Sequence, residues 1–166
     1  LNQPDPASVA FNNYSGGIQK NASNSSLIEL ITRTSDGFTW PYSVNSSGDN
    51  FILYCWKEIP GYSAFGSYTG NGSTDGPFVY TGFKPAFVMI KRTTTESWVI
   101  ADNARDPHNS MTKYLLADEP NPEGSGISYD FLSNGFKSNT NSQNEPGSTY
   151  IYMAFAEQPY EFATGR

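Results

Sequence analysis

Short runs of β-branched and aromatic residues alternate along this chain with clusters of turn-forming residues. Five runs stand out: "LIELIT" (27–32), "NFILYCWK" (50–57), "AFVMIKR" (86–92), "SWVIAD" (97–102) and "STYIYMAFA" (148–156). Each is bounded by Gly, Pro, Asn, Asp or Ser, as is typical of strands that end in turns. Several are apolar at consecutive positions, which predicts strands covered on both faces.

Composition points to the same fold class. Aromatic residues make up 15% of the chain and charged residues only 16%, which favours strands joined by polar turns over helices or disorder. Four residues separate the runs 86–92 and 97–102, so we expect a hairpin there. The segment 112–118, "TKYLLAD", competes as a helix but is too short to be stable alone. We therefore predict an all-β fold with little helix, built from antiparallel strands in sandwich-like units.

The chain also repeats itself. "SDGF" (35–38) matches "SNGF" (133–136), and "SGDNFILYCWKEIPGY" (47–62) matches "PGSTYIYMAFAEQPYE" (146–161). Such spacing indicates an internal repeat. We predict that residues 1–60 are the end of a truncated unit and residues 61–166 a complete one. The runs 50–57 and 149–156 should then be equivalent strands, with Ile52 and Ile151 pointing the same way.

The net charge, the single cysteine and the single histidine limit the functions that this chain could have. Ten basic and sixteen acidic residues give a formal net charge of −6, without the basic footprint that nucleic-acid binding needs. The single cysteine, Cys55, allows no internal disulfide, and we expect it in a core. The single histidine, His108, follows a proline and is expected at the surface. Membrane insertion is not expected, because no apolar run approaches the length of a membrane span.

The N-terminal residues carry no targeting pattern. They lack the basic segment and apolar run of a signal peptide, and the first residue is not Met. We expect the chain to be a fragment or a processed product.

The glycine-rich stretch "SYTGNGSTDGPFVYTGF" (67–83) has three interpretations. It lacks the Gly-Lys-Ser/Thr of a phosphate-binding loop and is followed by a strand-like run, so a phosphate role is not favoured. Asn-Gly and Asp-Gly pairs predict turns between two strands, one ending near Tyr68 and the other beginning near Pro77. Exposed loops also carry binding residues. The candidate ligand residues here are Asn71, Ser73, Thr74 and Asp75.

The sequence also contains residues suited to two other kinds of site, a calcium site and a glycan-hydrolysing carboxylate pair. Asp102, Asn103 and Asp106 have oxygens suited to Ca²⁺, although their spacing is not that of an EF-hand and such residues commonly cap turns. No other cofactor is expected. Paired carboxylates could hydrolyse a glycan, but none of the acidic residues sits in a recognisable motif. We expect no enzyme activity.

An exposed aromatic side chain could stack against a sugar. Trp56 aligns with Phe155 in the repeat and is expected in the core. Trp40 aligns with Ser138 and lies near a turn, so it is the best candidate for an exposed aromatic residue and joins the possible ligand-binding set.

Several segments resemble a repeat found in virion structural proteins of marine bacteriophages, notably tail-fibre-like proteins of cyanophages. They are "PGYSAFGSYTGNGSTDGPFVYTGFKPAFVMIKRTTTESWVIADNARDP" (60–107), "KYLLAD" (113–118), "DFLSNGFK" (130–137) and "GSTYIYMAFAEQPY" (147–160). Residues 43–63 resemble the end of a preceding unit. The resemblance implies a β-rich, non-enzymatic particle component and no catalytic residues.

From this resemblance we expect a virion protein of a tail fibre or receptor-binding appendage that displays loops toward a host surface glycan. A capsid fibre or decoration protein that binds the shell is the alternative, and a polysaccharide depolymerase is a second one. The partners would be other virion proteins and the glycan. Residues 1–60 lack counterparts of the strands in 61–118, so other chains should cover them, and we predict a homo-oligomer, with a trimer preferred.

Overall fold

The computed structural model describes residues 32–33, 38–39, 56, 58–94 and 96–157. The chain divides into two compact units, 1–55 and 56–166. In the first unit, β1 (Thr32–Arg33) pairs antiparallel with β2 (Phe38–Thr39).

The second unit consists of eight strands. They are β3 (Ser63–Thr69), β4 (Phe78–Tyr80), β5 (Pro85–Arg92), β6 (Val99–Asp102), β7 (Met111–Leu116), β8 (Gly124–Leu132), β9 (Gly135–Ser138) and β10 (Thr149–Ala156). The described residues contain no helix, which confirms the predicted all-β class. Within this part of the chain, accordingly, no helix could cross a membrane.

The eight strands form one sheet in the order β3-β10-β5-β6-β7-β8-β9-β4, and every neighbouring pair is antiparallel. β3 and β4 are consecutive in the chain but lie at opposite ends of this order. The ends approach each other, because the ring of Tyr68 on β3 packs edge-on against Phe136 on β9 with centroids 6.1 Å apart. The sheet is thus nearly closed, and a division into the two sheets of a sandwich is not confirmed.

The core fills the space inside this curved sheet, since alternate side chains of each strand point inward. Phe136 lies at its centre, with ring centroids 5.4 Å from Tyr152 and 6.4 Å from Tyr129. The buried cluster contains Ala64, Val79, Phe83, Val88, Ile90, Val99, Ala101, Met111, Ile127, Tyr129, Phe131, Phe136, Tyr150, Tyr152 and Ala154.

β10 is the central strand predicted from "STYIYMAFA". Tyr150 and Tyr152 belong to the core cluster. Ile151 and Met153, which point to the opposite face, are also buried, with exposed fractions of 7% and 5%. The prediction that a consecutively apolar strand is covered on both faces is confirmed for β10.

In the second unit, two strands correspond to no element predicted from the sequence. β8 and β9 form a tight hairpin in which Leu132 pairs with Gly135. Their signal is the alternation of Ile127, Tyr129 and Phe131 with polar residues, followed by the turn at residues 133–134. This period of two is typical of a half-buried strand.

Two other segments differ in detail from their predictions. The possible helix at 112–118 is largely strand β7, which pairs with β6 and β8. Pairing on both sides outweighs the weak helix preference of so short a segment. The β5–β6 connection is longer than predicted, since β6 begins only at Val99. The backbone N–H of Trp98, just before it, donates a hydrogen bond to the side chain of Asp118 (2.8 Å).

The two units share a hairpin register. Each residue of the β1–β2 pairing lies 98 positions before its counterpart in β8–β9, the spacing that also separates "SDGF" from "SNGF" (35 and 133). The corresponding pairs are Thr32↔Thr39 with Asp130↔Lys137, and Arg33↔Phe38 with Phe131↔Phe136. An internal repeat predicts this equality of register.

Other predictions fall outside the described residues. These concern the run 27–32 apart from Thr32, the run 50–57 apart from Trp56, and the residues Trp40, Ile52 and Cys55. Trp56 itself is described, and the expectation that it lies in the core is wrong: it is 51% exposed and belongs to no strand.

A matched pair of phenylalanines tests the position of the core. Phe136 is 1% exposed and Phe78, on the strand beside it, is 46% exposed. We expect Phe136→Ala to lower the free energy of unfolding by about 3–5 kcal/mol, because a large buried ring is lost. Phe78→Ala should change it by less than about 1 kcal/mol. Urea denaturation followed by tryptophan fluorescence measures both, and equal losses would contradict the assigned core.

Candidate functional site

The glycine-rich loop of residues 70–77 connects β3 to β4. The fully buried side chain of Asn144 holds it in place. Asn144 Oδ1 accepts a hydrogen bond from the backbone N–H of Asn71 (2.8 Å), and its Nδ2 donates to Asn71 Oδ1 (3.0 Å) and to the backbone oxygen of Ser73 (2.8 Å). The backbone N–H of Gly72 donates to the oxygen of Asn144 (2.8 Å). We call this set of contacts the Asn144 clamp.

Glycines let the loop lie against the segment that carries Asn144. A Cβ on Gly70 would be 2.3 Å from the oxygen of Glu145, and one on Gly76 would be 2.2 Å from the oxygen of Ser138. Such distances are shorter than any van der Waals contact, so larger residues would force the backbones apart. The predicted turn between two strands is confirmed, and close packing is the reason for these glycines.

The predicted ligand residues of this loop lie together and are exposed. Most of their polar groups bond within the loop: Ser73 N–H donates to Asn71 Oδ1 (2.9 Å), and Asp75 N–H donates to Ser73 Oγ (3.0 Å). The Asp75 carboxylate forms an ion pair with Lys137 on β9, whose hydrogen bond lowers the pKa of Asp75. The loop therefore serves first as a scaffold.

β4 presents two exposed aromatic side chains beside this loop. Phe78 is 46% exposed and Tyr80 is 67% exposed, whereas Val79 between them is buried. In the ladder with β9, Phe78 lies opposite Lys137 and Tyr80 opposite Gly135. We call these four residues, two on each strand, the aromatic edge.

Gly135 gives the aromatic edge its shape. A Cβ at this position would lie 2.9 Å from two ring carbons of Phe78 and 2.1 Å from the oxygen of Val79. The Phe78 ring thus lies close to bare backbone, and a larger residue at 135 would displace it.

Both ends of β4 are held to neighbouring strands and turns. Before it, Gly76 N–H donates to the oxygen of Ser138 (3.1 Å). After it, the N–H groups of Thr81 and Gly82 both donate to the oxygen of Asn134 (3.0 and 3.2 Å). The two rings are therefore displayed from a fixed backbone.

The predicted calcium residues lie near one another, but each has its own protein partner. Asp102 accepts hydrogen bonds from the N–H and Nε of Arg105 (2.8 and 3.1 Å). Asp106 Oδ2 accepts from the N–H of Thr112 (2.8 Å), and that bond lowers the pKa of Asp106. Asn103 Nδ2 donates to Glu157 (3.1 Å). The metal assignment stays a prediction.

Within the part of the chain that the structure describes, no group of three His, Cys, Asp or Glu side chains could hold a metal ion. His108 is exposed, as predicted. Trp40, the remaining predicted ligand residue, lies outside the described part.

A cleft of about 380 Å³ opens at the ends of β6, β7 and β8. Val99, Leu116 and Ile127 supply apolar lining, and Gln143 lies beside them. Glu96 is the acidic member of its described lining, and its carboxylate accepts a hydrogen bond from Arg92 (2.8 Å). Glycosidases place two carboxylates around the scissile bond, a pair that the described lining of this cleft does not provide.

Two phenols, the partly buried Tyr68 and the fully buried Tyr129, lie next to Gln143 of this cleft. The hydroxyl of Tyr68 donates to the backbone oxygen of Gln143 (2.6 Å), and the hydroxyl of Tyr129 lies 3.4 Å from the side-chain oxygen of Gln143. Burial raises the pKa of both phenols well above the usual 10.0. Both are therefore neutral in the folded protein at physiological pH.

The raised pKa values of Tyr68 and Tyr129 predict that the folded protein loses stability in alkali. An unfolded tyrosine ionises above its ordinary pKa, while the folded Tyr68 and Tyr129 stay protonated. Their stabilising effect is therefore complete below about pH 10 and is lost as the pH rises above it, by about 1.4 kcal/mol per pH unit for each phenol. Denaturation curves between pH 9 and 12 should show a shallower decline for Tyr129→Phe. Equal slopes in the two proteins would contradict this assignment.

Fold and surface together define a class: an all-β domain with a nearly closed antiparallel sheet that displays an aromatic edge beside a clamped loop. The chain belongs to the family described as "Domain of unknown function (DUF7483)", whose model matches residues 7–159. No curated protein matches the chain, and neither does any solved structure.

Proposed function

We propose that the chain is a non-enzymatic structural and recognition module of a phage particle. Its place would be a tail fibre or receptor-binding appendage, where it presents its surface to a glycan on the host cell. The resemblance of residues 60–160 to virion repeats supports the source. The aromatic edge is the observation that carries the recognition role, because exposed aromatic pairs on a fixed backbone are typical of binding surfaces.

The clamp supports a display role. A loop whose polar groups already bond one another loses little conformational entropy when a ligand binds beside it. Single-site affinity for a sugar is modest, and several copies multiply it. The expected homo-oligomer, with a trimer preferred, would supply these copies, and native mass spectrometry counts its chains.

Binding without cleavage is the expected outcome of a direct test. The purified chain is mixed with intact host cells and, separately, with polysaccharide extracted from their envelope. Sedimentation measures the bound chain, and a reducing-end assay measures cleavage. We expect the chain to sediment with the cells and to release no reducing ends, because the surface offers exposed aromatic contacts and the described lining of the cleft holds one carboxylate, not two.

Other results would contradict this proposal in identifiable ways. New reducing ends would make the protein a depolymerase. Failure to bind cells, together with binding to phage shells from which this protein has been stripped, would make it a capsid fibre or decoration protein.

A further inference from the structure

We propose that the aromatic edge, and not the polar loop 71–75, is the sugar subsite, and that it takes an uncharged pyranose unit. This inference rests on the proposed function and names the ligand of its surface. It moves the site from the residues that the sequence favoured to Phe78 and Tyr80.

The two rings have the spacing and direction that such a ligand needs. Residues i and i+2 of a strand point to the same face, about 6.5–7 Å apart along it. Phe78 and Tyr80 therefore project together from β4, with Val79 turned into the core. Gly135 lies opposite Tyr80 and close to the Phe78 ring, so no neighbouring side chain rises between the rings from that position.

The chemistry of the rings suits the face of a sugar. An aromatic face carries partial negative charge and attracts the partly positive C–H groups of a pyranose ring. The exposed hydroxyl of Tyr80 can donate to or accept from a sugar hydroxyl. Lys137, opposite Phe78, already donates to Asp75. Its ammonium group has three donor hydrogens, so it can bond a sugar hydroxyl without giving up that contact.

The surrounding charges favour an uncharged unit. Lys137 is the cation of this surface and pairs with Asp75. Its ladder neighbour on the other side is Asp130. Two carboxylates thus accompany one ammonium group, and an anionic sugar would meet net repulsion.

Two alternatives are less consistent with the contacts: a sugar bound at the loop, and a second copy of the chain bound at the edge. The loop side chains Asn71, Ser73 and Asp75 already bond within the protein, so a sugar would have to displace these bonds. A second copy of the chain could add a strand to β4, but the available edge is short. Pro77 has no N–H, and the N–H groups of Thr81 and Gly82 are already bonded.

The experiment follows ¹⁵N–¹H NMR shifts of the full chain. The probes are methyl α-D-glucopyranoside, methyl α-D-mannopyranoside and methyl β-D-galactopyranoside, with the sodium salt of methyl α-D-galactopyranosiduronic acid as the charged comparison. We expect at least one neutral glycoside to shift the amides of Tyr80, Gly135 and Lys137, and the uronate to bind at least tenfold more weakly.

Two variants separate the edge from the loop. Phe78→Ala/Tyr80→Ala should abolish the titration while the signals of the β10 core stay in place, which shows that the variant is folded. Thr74→Ala, an exposed change in the loop, should leave the titration unchanged.

Three results would overturn the inference: shifts confined to residues 71–75, no shift of the edge with any neutral glycoside, or concentration-dependent shifts of the edge without sugar, which would indicate a second copy.

The cell-binding assay distinguishes failure of this subsite from failure of the proposed function. If the double variant still binds cells as the parent does, only the subsite is wrong. If the parent cleaves polysaccharide, the proposed function is wrong.

Discussion

The loop of residues 70–77 has to run from one end of the sheet to the other, and Asn144 holds it there. This fully buried amide binds Asn71 through both of its polar atoms and also bonds the backbone of Ser73. A buried polar group left without partners costs about 1–3 kcal/mol. The loop and the Asn144 side chain therefore stabilise each other. If either moved away, polar groups of the other would lose their hydrogen-bond partners.

The position of the aromatic edge follows from this dependence. β4 has three residues, too few to be held firmly by one ladder alone. Its placement comes from the clamp before it and from the turn at Asn134 after it. Core packing adds a third constraint, because Val79 lies in the core cluster. Phe78 and Tyr80 are displayed because the residues on each side of them are bonded elsewhere.

The sequence predicted the fold class and much of the strand pattern. The run "STYIYMAFA" has a strong local signal, and β10 occupies nearly all of it. The turn chemistry of Asn71-Gly72 and Asp75-Gly76 likewise predicted the loop and its flanking strands. The nearly closed sheet could not be predicted, because the strand order depends on pairings between distant residues such as Thr69 with Thr149.

The candidate site was only partly visible in the sequence. The loop residues were chosen because polar residues in turns commonly bind ligands, yet Asn144, far along the chain, already engages them. The exposure of Phe78 and Tyr80 could not be predicted, because it depends on which face of β4 meets the core. Away from the site, the sequence also contains no sign that Lys91 is buried, because a lysine within a strand is usually exposed. Its Nζ donates to the backbone oxygens of Arg92 and Thr94 (2.5 and 2.6 Å).

Hydrogen exchange tests the clamp most directly. In the native protein, the amides of Asn71, Gly72 and Gly76 should be protected to within about tenfold of the amides of β10, because opening the loop requires breaking the clamp. In Asn144→Ala these loop amides should exchange much faster, while the same change at the exposed Asn134 should leave them protected. Exchange of the native loop amides at the rate of an unstructured peptide would contradict the account.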